Sequence, residues 1–200
     1  MDQPNVQLVL ALAAGLGLAA ACGLRVFAPL LVLGLAGRFG HLPLASGFVW
    51  ASSVPALIAL GFATVLEIGA YYVPWLDHAL DAIATPAALV AGVLAVAAVS
   101  GALPPWLRWS TAIIGGGGLA GLTQGASVLL RLKSTATTGG LANPLVSTGE
   151  WVGAIGLAIV AVLVPVLALI AVALLLVSVF RFAHRLVFGK RKAEAVARSA

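Results

Sequence analysis

Trp151–Val179 reads WVGAIGLAIVAVLVPVLALIAVALLLVSV, without one charged side chain. A helix needs about 20 apolar residues to cross the hydrocarbon core of a bilayer. This run is longer, so it predicts a helix that crosses with tilt and projects beyond the membrane, kinked at Pro165. Working outward, Val6–Leu24, Val49–Val73, Pro86–Ser100 and Ser110–Leu130 are further candidate spans. Pro86–Ser100 is short, and reads as a tilted or partial span or as one that begins earlier.

The composition agrees. Hydrophobic residues make up 62% of the chain and charged residues 8%, with a mean hydropathy of +1.14. A soluble domain carries about 25% charged residues. The expected fold class is therefore all-α: a polytopic membrane protein of about five transmembrane helices forming a single membrane domain over residues 1–200, with the lipid bilayer as its main partner. The first run lacks a basic leader and is too long for a signal-peptide core, so it is expected to be retained. Cys22 is the single cysteine, which excludes intramolecular disulfides and multi-cysteine metal sites; within an apolar helix it reads as a small buried thiol.

The phrase Pro43-Leu44-Ala45-Ser46-Gly47-Phe48-Val49-Trp50 returns as Pro144-Leu145-Val146-Ser147-Thr148-Gly149-Glu150-Trp151. The same offset aligns Gly15, Gly17, Leu18 and Ala19 with Gly116, Gly118, Leu119 and Ala120. This predicts two repeats, about 6–83 and 109–184, followed by a basic tail at 185–200. With five spans the repeats would run in opposite directions, the inverted arrangement found in many carriers.

Between spans, the residues Val26–Gly37 are apolar but too short to cross, which suits a re-entrant or interfacial segment. Their counterpart, Arg131–Asn143, is rich in hydroxyls and glycine. It reads either as an ordinary polar loop or as a segment covered by protein at membrane depth. Orientation follows from the cations. With the C-terminus in the cytoplasm, Arg25, Arg38, Arg108, Arg181, Arg185, Lys190, Arg191, Lys192 and Arg198 lie inside, and Arg131 and Lys133 outside. This predicts a multi-pass protein of the cell (inner) membrane with its N-terminus outside.

Glu67 is the acidic residue well inside a predicted span, where burial without a partner is costly. It reads as a functional carboxylate, or as one reaching the interface or closing a structural ion pair. Tyr71 lies one turn on. Asp77 and Asp81 share a helical face beside His78, which suits a cation held by oxygen ligands; a solvated amphipathic connector explains the same spacing. Arg131, Lys133, Ser134, Thr135, Thr137, Thr138, Asn143, Ser147 and Glu150 fall on the same predicted side and form a candidate polar vestibule. Arg25 ends the first span, either snorkelling to headgroups or standing at the base of the short segment. Gly15, Ala19 and Gly23, and likewise Gly117, Gly121 and Gly125, repeat every four residues. They are expected to pack the first and fourth spans together.

No hydrolase, metalloprotease or phosphate-loop motif occurs, so no cofactor is expected and the metal question stays open. The formal charge of +5 gathers in the tail, which suits anionic lipid headgroups rather than nucleic acid. The small size leaves room for a homodimer.

On Gly23-Leu24-Arg25-Val26-Phe27-Ala28-Pro29, on Glu67 with Pro74-Trp75-Leu76-Asp77 and Asp81, and on Thr135-Ala136-Thr137-Thr138-Gly139-Gly140-Leu141-Ala142-Asn143-Pro144 with Ser147 and Glu150, the chain resembles a bacterial membrane-protein family known as domain of unknown function 4126. The resemblance implies an integral membrane fold and no established activity. The chain departs from the family pattern where Tyr71 or Tyr72 replaces an acidic or basic residue, which weakens a charge relay built on Glu67. The residues favour a small carrier or channel-like protein. A membrane-embedded lipid-handling or metal-dependent enzyme and a non-catalytic assembly or scaffold subunit are the alternatives.

Overall fold

The computed structural model describes the backbone over residues 4–70 and 74–181, and the side chains over 5–70 and 83–181. Helix α1 (Pro4–Leu24) is followed by α2 (Phe27–Arg38), a 3-10 segment (Ser46–Ser52), α3 (Val54–Ala70) and α4 (Pro74–Val99). Then come α5 (Pro105–Thr111), a π-helical turn (Ala112–Gly117), α6 (Gly118–Thr138) and α7 (Asn143–Leu163), and finally α8 (Pro165–Arg181). Among the described residues there is no strand. The protein is an all-α membrane protein.

Among the described residues, three helical stretches are long and apolar enough to cross a membrane: Asn5–Leu24, Pro105–Thr138 and Asn143–Leu163. A fourth is the 3-10 segment with α3, which meet at a bend of 63°. The expected span Val49–Val73 is thus broken near Ser53, ahead of Pro55. The expected run through Val179 is likewise divided. Gly17 lies against both Ala161 and Ala168, which would stand about two turns apart on a straight helix. The chain therefore turns sharply at Val164–Pro165.

Packing follows lipid rather than aqueous logic. The buried core is made of small residues: Ala14, Ala19 and Cys22 on α1, Ala88, Ala91 and Ala95 on α4, and Ala154, Ala158 and Ala161 on α7. Large residues such as Ile58, Phe62, Leu122 and Val152 are exposed. Lipid tails solvate leucine as well as a protein core does, so helices associate through close backbone approach instead. A Cβ on Gly116 would fall 2.3 Å from the carbonyl oxygen of Gly92, and one on Gly92 would fall 2.6 Å from that of Gly116. This reciprocal contact seats α4 on the π turn.

The first and fourth spans do pack together, but their glycine faces divide between two neighbours. On α1, Gly23 abuts Ala120 and Thr123 of α6, but Gly15 abuts Val96 and Val99 of α4. Gly117 and Gly121 also meet α4, at Val93 and Leu89, and Gly125 meets open space. Four-residue spacing identifies a face, and the neighbouring helix decides what it touches.

The same contacts set helix directions. Gly115 approaches Leu16 and Ala120 approaches Gly23, so α1 and the 105–138 stretch run parallel. Two inverted copies would run antiparallel there, so these helices do not carry the inverted arrangement. The reason lies in α2. It leads from Arg25 back to Gly37, Gly40 and His41, which share a cleft with Gln7 and Leu10 near the start of α1. Treating 26–37 as leaving the direction unchanged reverses every later helix. The residues Arg131–Thr138, expected as irregular, complete α6, which ends at Gly139 in the left-handed conformation.

Candidate functional site

Charged groups from four parts of the chain meet where α1 gives way to α2. Arg25, in the short break between these helices, is 2% exposed. Its Nη2 donates to Glu150 Oε2 at 3.0 Å and to the Ser147 carbonyl oxygen at 3.1 Å. Arg131 Nη2 donates to the same Oε2 at 2.5 Å, and Ser127 Oγ donates to Glu150 Oε1. One carboxylate on α7 therefore bridges arginines from the α1–α2 break and from α6.

Beside it, Glu67 of α3 turns its carboxylate onto the start of α2. The Val26 N–H donates to Oε1 at 2.8 Å and the Phe27 N–H to Oε2 at 3.2 Å. These are among the N–H groups that a helix leaves without an intrahelical acceptor.

The helices supplying these groups are polar inward and apolar outward. The buried residues of α3 are Thr64 and Glu67. Those of α6 are Ala120, Thr123, Gln124, Ser127, Arg131 and Ser134. Thr123 Oγ1 donates to the Ala20 carbonyl oxygen at 3.0 Å and so also ties α6 to α1. The hydroxyls of Thr64 and Ser134 are buried without a hydrogen-bond partner.

Of the expected site residues, Glu67, Arg25, Arg131, Ser147 and Glu150 lie in or against this cluster. Arg25 neither snorkels nor stands on the far membrane face from Glu150. The two are in contact, so counting them on opposite sides does not hold. The start of α1 shares its end of the bundle with Gly40, His41 and Arg108, which the expected orientation set opposite it. Ser134 is buried one turn beyond Arg131, whereas Lys133 is exposed. Thr135, Thr137, Thr138 and Asn143 serve the α6–α7 turn instead. Asn143 Nδ2 donates to Thr135 Oγ1 at 3.1 Å, Thr137 Oγ1 to the Lys133 carbonyl oxygen at 2.9 Å, and Thr138 Oγ1 to that of Ser134 at 2.8 Å. The side chains of Asp77 and Asp81, and the tail beyond Arg181, lie outside the described residues.

Sequence reading missed Ser127, Thr123, Gln124 and Thr64. A signal for two of them was available. Thr123, Ser127 and Arg131 recur every four residues through an apolar helix, the spacing of one inward stripe.

The family described as domain of unknown function (DUF4126) matches the chain over residues 12–185. The chain belongs to that family. The matched span of this DUF4126 protein includes Arg25, Glu67, Ser127, Arg131 and Glu150. No curated protein and no solved structure matches it. Two clefts of about 670 Å³ and about 440 Å³ open at the other end of the DUF4126 bundle, around Gln7, Pro43 and Leu44, away from the charged cluster. Among the described residues, no group of three His, Cys, Asp or Glu side chains is placed to hold a metal ion.

Proposed function

We propose that this protein is a small membrane carrier or channel-like protein whose solute route follows the inward faces of α3, α6 and α7 past Glu67, Arg131 and Glu150. One observation supports the reading: a buried cluster of two arginines and two glutamates drawn from the α1–α2 break and from α3, α6 and α7. Ionisable groups at membrane depth are rare because they are expensive, and those retained mark pathways by default. A buried ion pair often adds no stability over apolar residues of similar volume, so stability alone is a weak reason to keep these charges. The polar stripe of α6, the π turn at its start and the broken 46–70 span add the irregular backbone that solute sites use. Arg38, His41 and Arg108 gather at the end where α1 begins, which supports a cytoplasmic N-terminus.

Flux in proteoliposomes tests the reading, with formate, ammonium and glycerol as separate reporters. At least one should cross faster than in protein-free vesicles. Arg131→Ala should slow it about tenfold or more, the effect of about 1.4 kcal/mol on a barrier. Wild-type vesicles as tight as empty ones, or unchanged flux in Arg131→Ala, would sink it.

A further inference from the structure

The two clefts at the start of α1 adjoin. They share Gln7, Ala11, Pro43 and Leu44, so Pro43-Leu44 forms a wall common to the larger and the smaller. Both volumes fall within the range of about 300–1,000 Å³ usual for ligand pockets. Leu10, Val49 and Val162 give the larger cleft apolar surface, and Leu8 and Val99 do the same for the smaller. Among the described residues, no carboxylate lines either one.

The charge at these clefts is positive and lacks a counterpart. Arg108 lines the smaller cleft. Its Nε is buried without a hydrogen-bond partner, and no carboxylate among the described residues pairs with it. A buried donor left unanswered is costly and calls for an explanation. Arg38 stands at the rim of the larger cleft, where its Nη1 donates to the Ser52 carbonyl oxygen at 3.4 Å. Ser52 and Gly37, the neighbour of Arg38, both line that cleft.

Depth in the membrane supplies the rest of the ligand. The stretch Asn5–Leu24 holds 20 residues, about the thickness of the hydrocarbon core, so a group beside Gln7 lies near the edge of that core. Exposed aromatic residues mark the same level. Trp106 stands on α5 close to Arg108, and Trp50 follows Val49 in the wall of the larger cleft; both suit the headgroup belt. Phe48 meets Trp109 with 6.3 Å between ring centroids, which ties the 3-10 segment to α5 around the clefts. A ligand held here has its charged end among headgroups and its remainder against apolar walls.

We propose that the clefts form a binding site for one anionic glycerophospholipid, with its phosphate at Arg108 and an acyl chain in each cleft. Guanidinium donors are planar and fixed, and match phosphate oxygens in pairs. A choline headgroup would set a second positive charge beside Arg108 and Arg38, so the anionic lipid is the better fit. Such a site is independent of any solute route, because the clefts lie at the opposite end of the bundle from Glu67 and Glu150.

Lipid titration of the full chain in an uncharged detergent tests the site. Dioctanoyl phosphatidylglycerol should raise the unfolding temperature saturably, by about 5 °C or more at a hundredfold excess over its half-effect concentration. Dioctanoyl phosphatidylcholine should give less than half of that shift. Glycerol 3-phosphate, which has the phosphate without the chains, should give none. Arg108→Gln should raise the half-effect concentration about tenfold, the effect of losing a charged hydrogen bond. Ala102→Trp, which fills the smaller cleft from an exposed position, should do the same and serves where Arg108→Gln does not fold. Lys133→Gln removes an equal charge from the far end of α6 and should leave the titration unchanged. Equal shifts with the choline lipid, or a shift that rises without saturating, would mean ordinary lipid solvation and overturn the site. A full shift with glycerol 3-phosphate would remove the lipid in favour of free phosphate. Wild-type titration in the folded cleft variants, or an equal loss in Lys133→Gln, would overturn the placement at Arg108.

Discussion

Arg25 donates to Glu150 across 125 positions of sequence, at 3.0 Å, with both side chains almost wholly buried. The bond ties the α1–α2 break to α7, and through Glu150 to Arg131 and Ser127 of α6. Every direct partner of Glu150 in this network is a donor, so removing the carboxylate takes the same anion from both arginines at once.

Glu150→Ala should therefore destabilise the protein by about 3 kcal/mol or more, the usual effect of breaking a buried ion pair from one side. The double variant Glu150→Met with Arg131→Met should lose less than the two single variants summed, because it buries one fewer uncompensated charge. Reversible unfolding in mixed micelles measures both, and strict additivity would argue against coupling.

Gly23 and Gly125 both stand in helices, but a side chain meets different surroundings at each. A Cβ at Gly23 would fall 1.7 Å from Thr123 Oγ1 and 2.3 Å from the Ala120 carbonyl oxygen, whereas at Gly125 nothing lies within 4 Å. Gly23→Ala should cost about 1–3 kcal/mol by forcing α1 off α6. Gly125→Ala should be neutral or gain up to about 1 kcal/mol from helix propensity. Equal melting temperatures for the two variants would contradict this packing.

At the α6 terminus Gly139 has φ of +64° and Gly140 has φ of +90°. The Gly139 N–H closes on the Thr135 carbonyl oxygen at 2.9 Å. A β-branched residue resists this conformation, so Gly139→Val should cost more than about 1 kcal/mol and Gly139→Asn less. Thermal unfolding ranks the two. A Gly139→Val variant as stable as wild type would mean that α6 does not end in this cap.

Ser127 and Leu122 lie on opposite sides of α6, one buried beside Glu150 and the other exposed. If the inward stripe is the wet route, a hydrophilic maleimide should label Ser127→Cys faster than Leu122→Cys, which faces hydrocarbon. The native Cys22, fully buried in the core, provides the unreactive background. Faster labelling at Leu122→Cys would place water on the outer face of α6 and refute the assignment.

Much of the fold was legible because hydropathy is a local property. The apolar runs at Val6–Leu24 and beyond Trp151 identify lipid as the solvent without reference to any other part of the chain. Glu67 could be singled out for the same reason, as a charge among apolar neighbours, whereas Arg131 and Glu150 stood out as members of a polar, hydroxyl-rich stretch. The ends of elements were harder. The residues Arg131–Thr138 look like a loop by composition, yet Ser127, Arg131 and Ser134 keep helical spacing, and packing against α7 extends the helix through them.

The sequence by itself determined the solvent, the helical class, several of the expensive charges and the break at Arg25-Val26. The tertiary structure alone decided which charges meet. A partner 125 residues away depends on the directions in which intervening helices run, and one short element such as α2 reverses every direction after it. The expected orientation thus sets Arg25 and Glu150 on opposite faces. Contact with Glu150 corrects that assignment, because an unpaired guanidinium cannot stay in this interior while an arginine held by a carboxylate can.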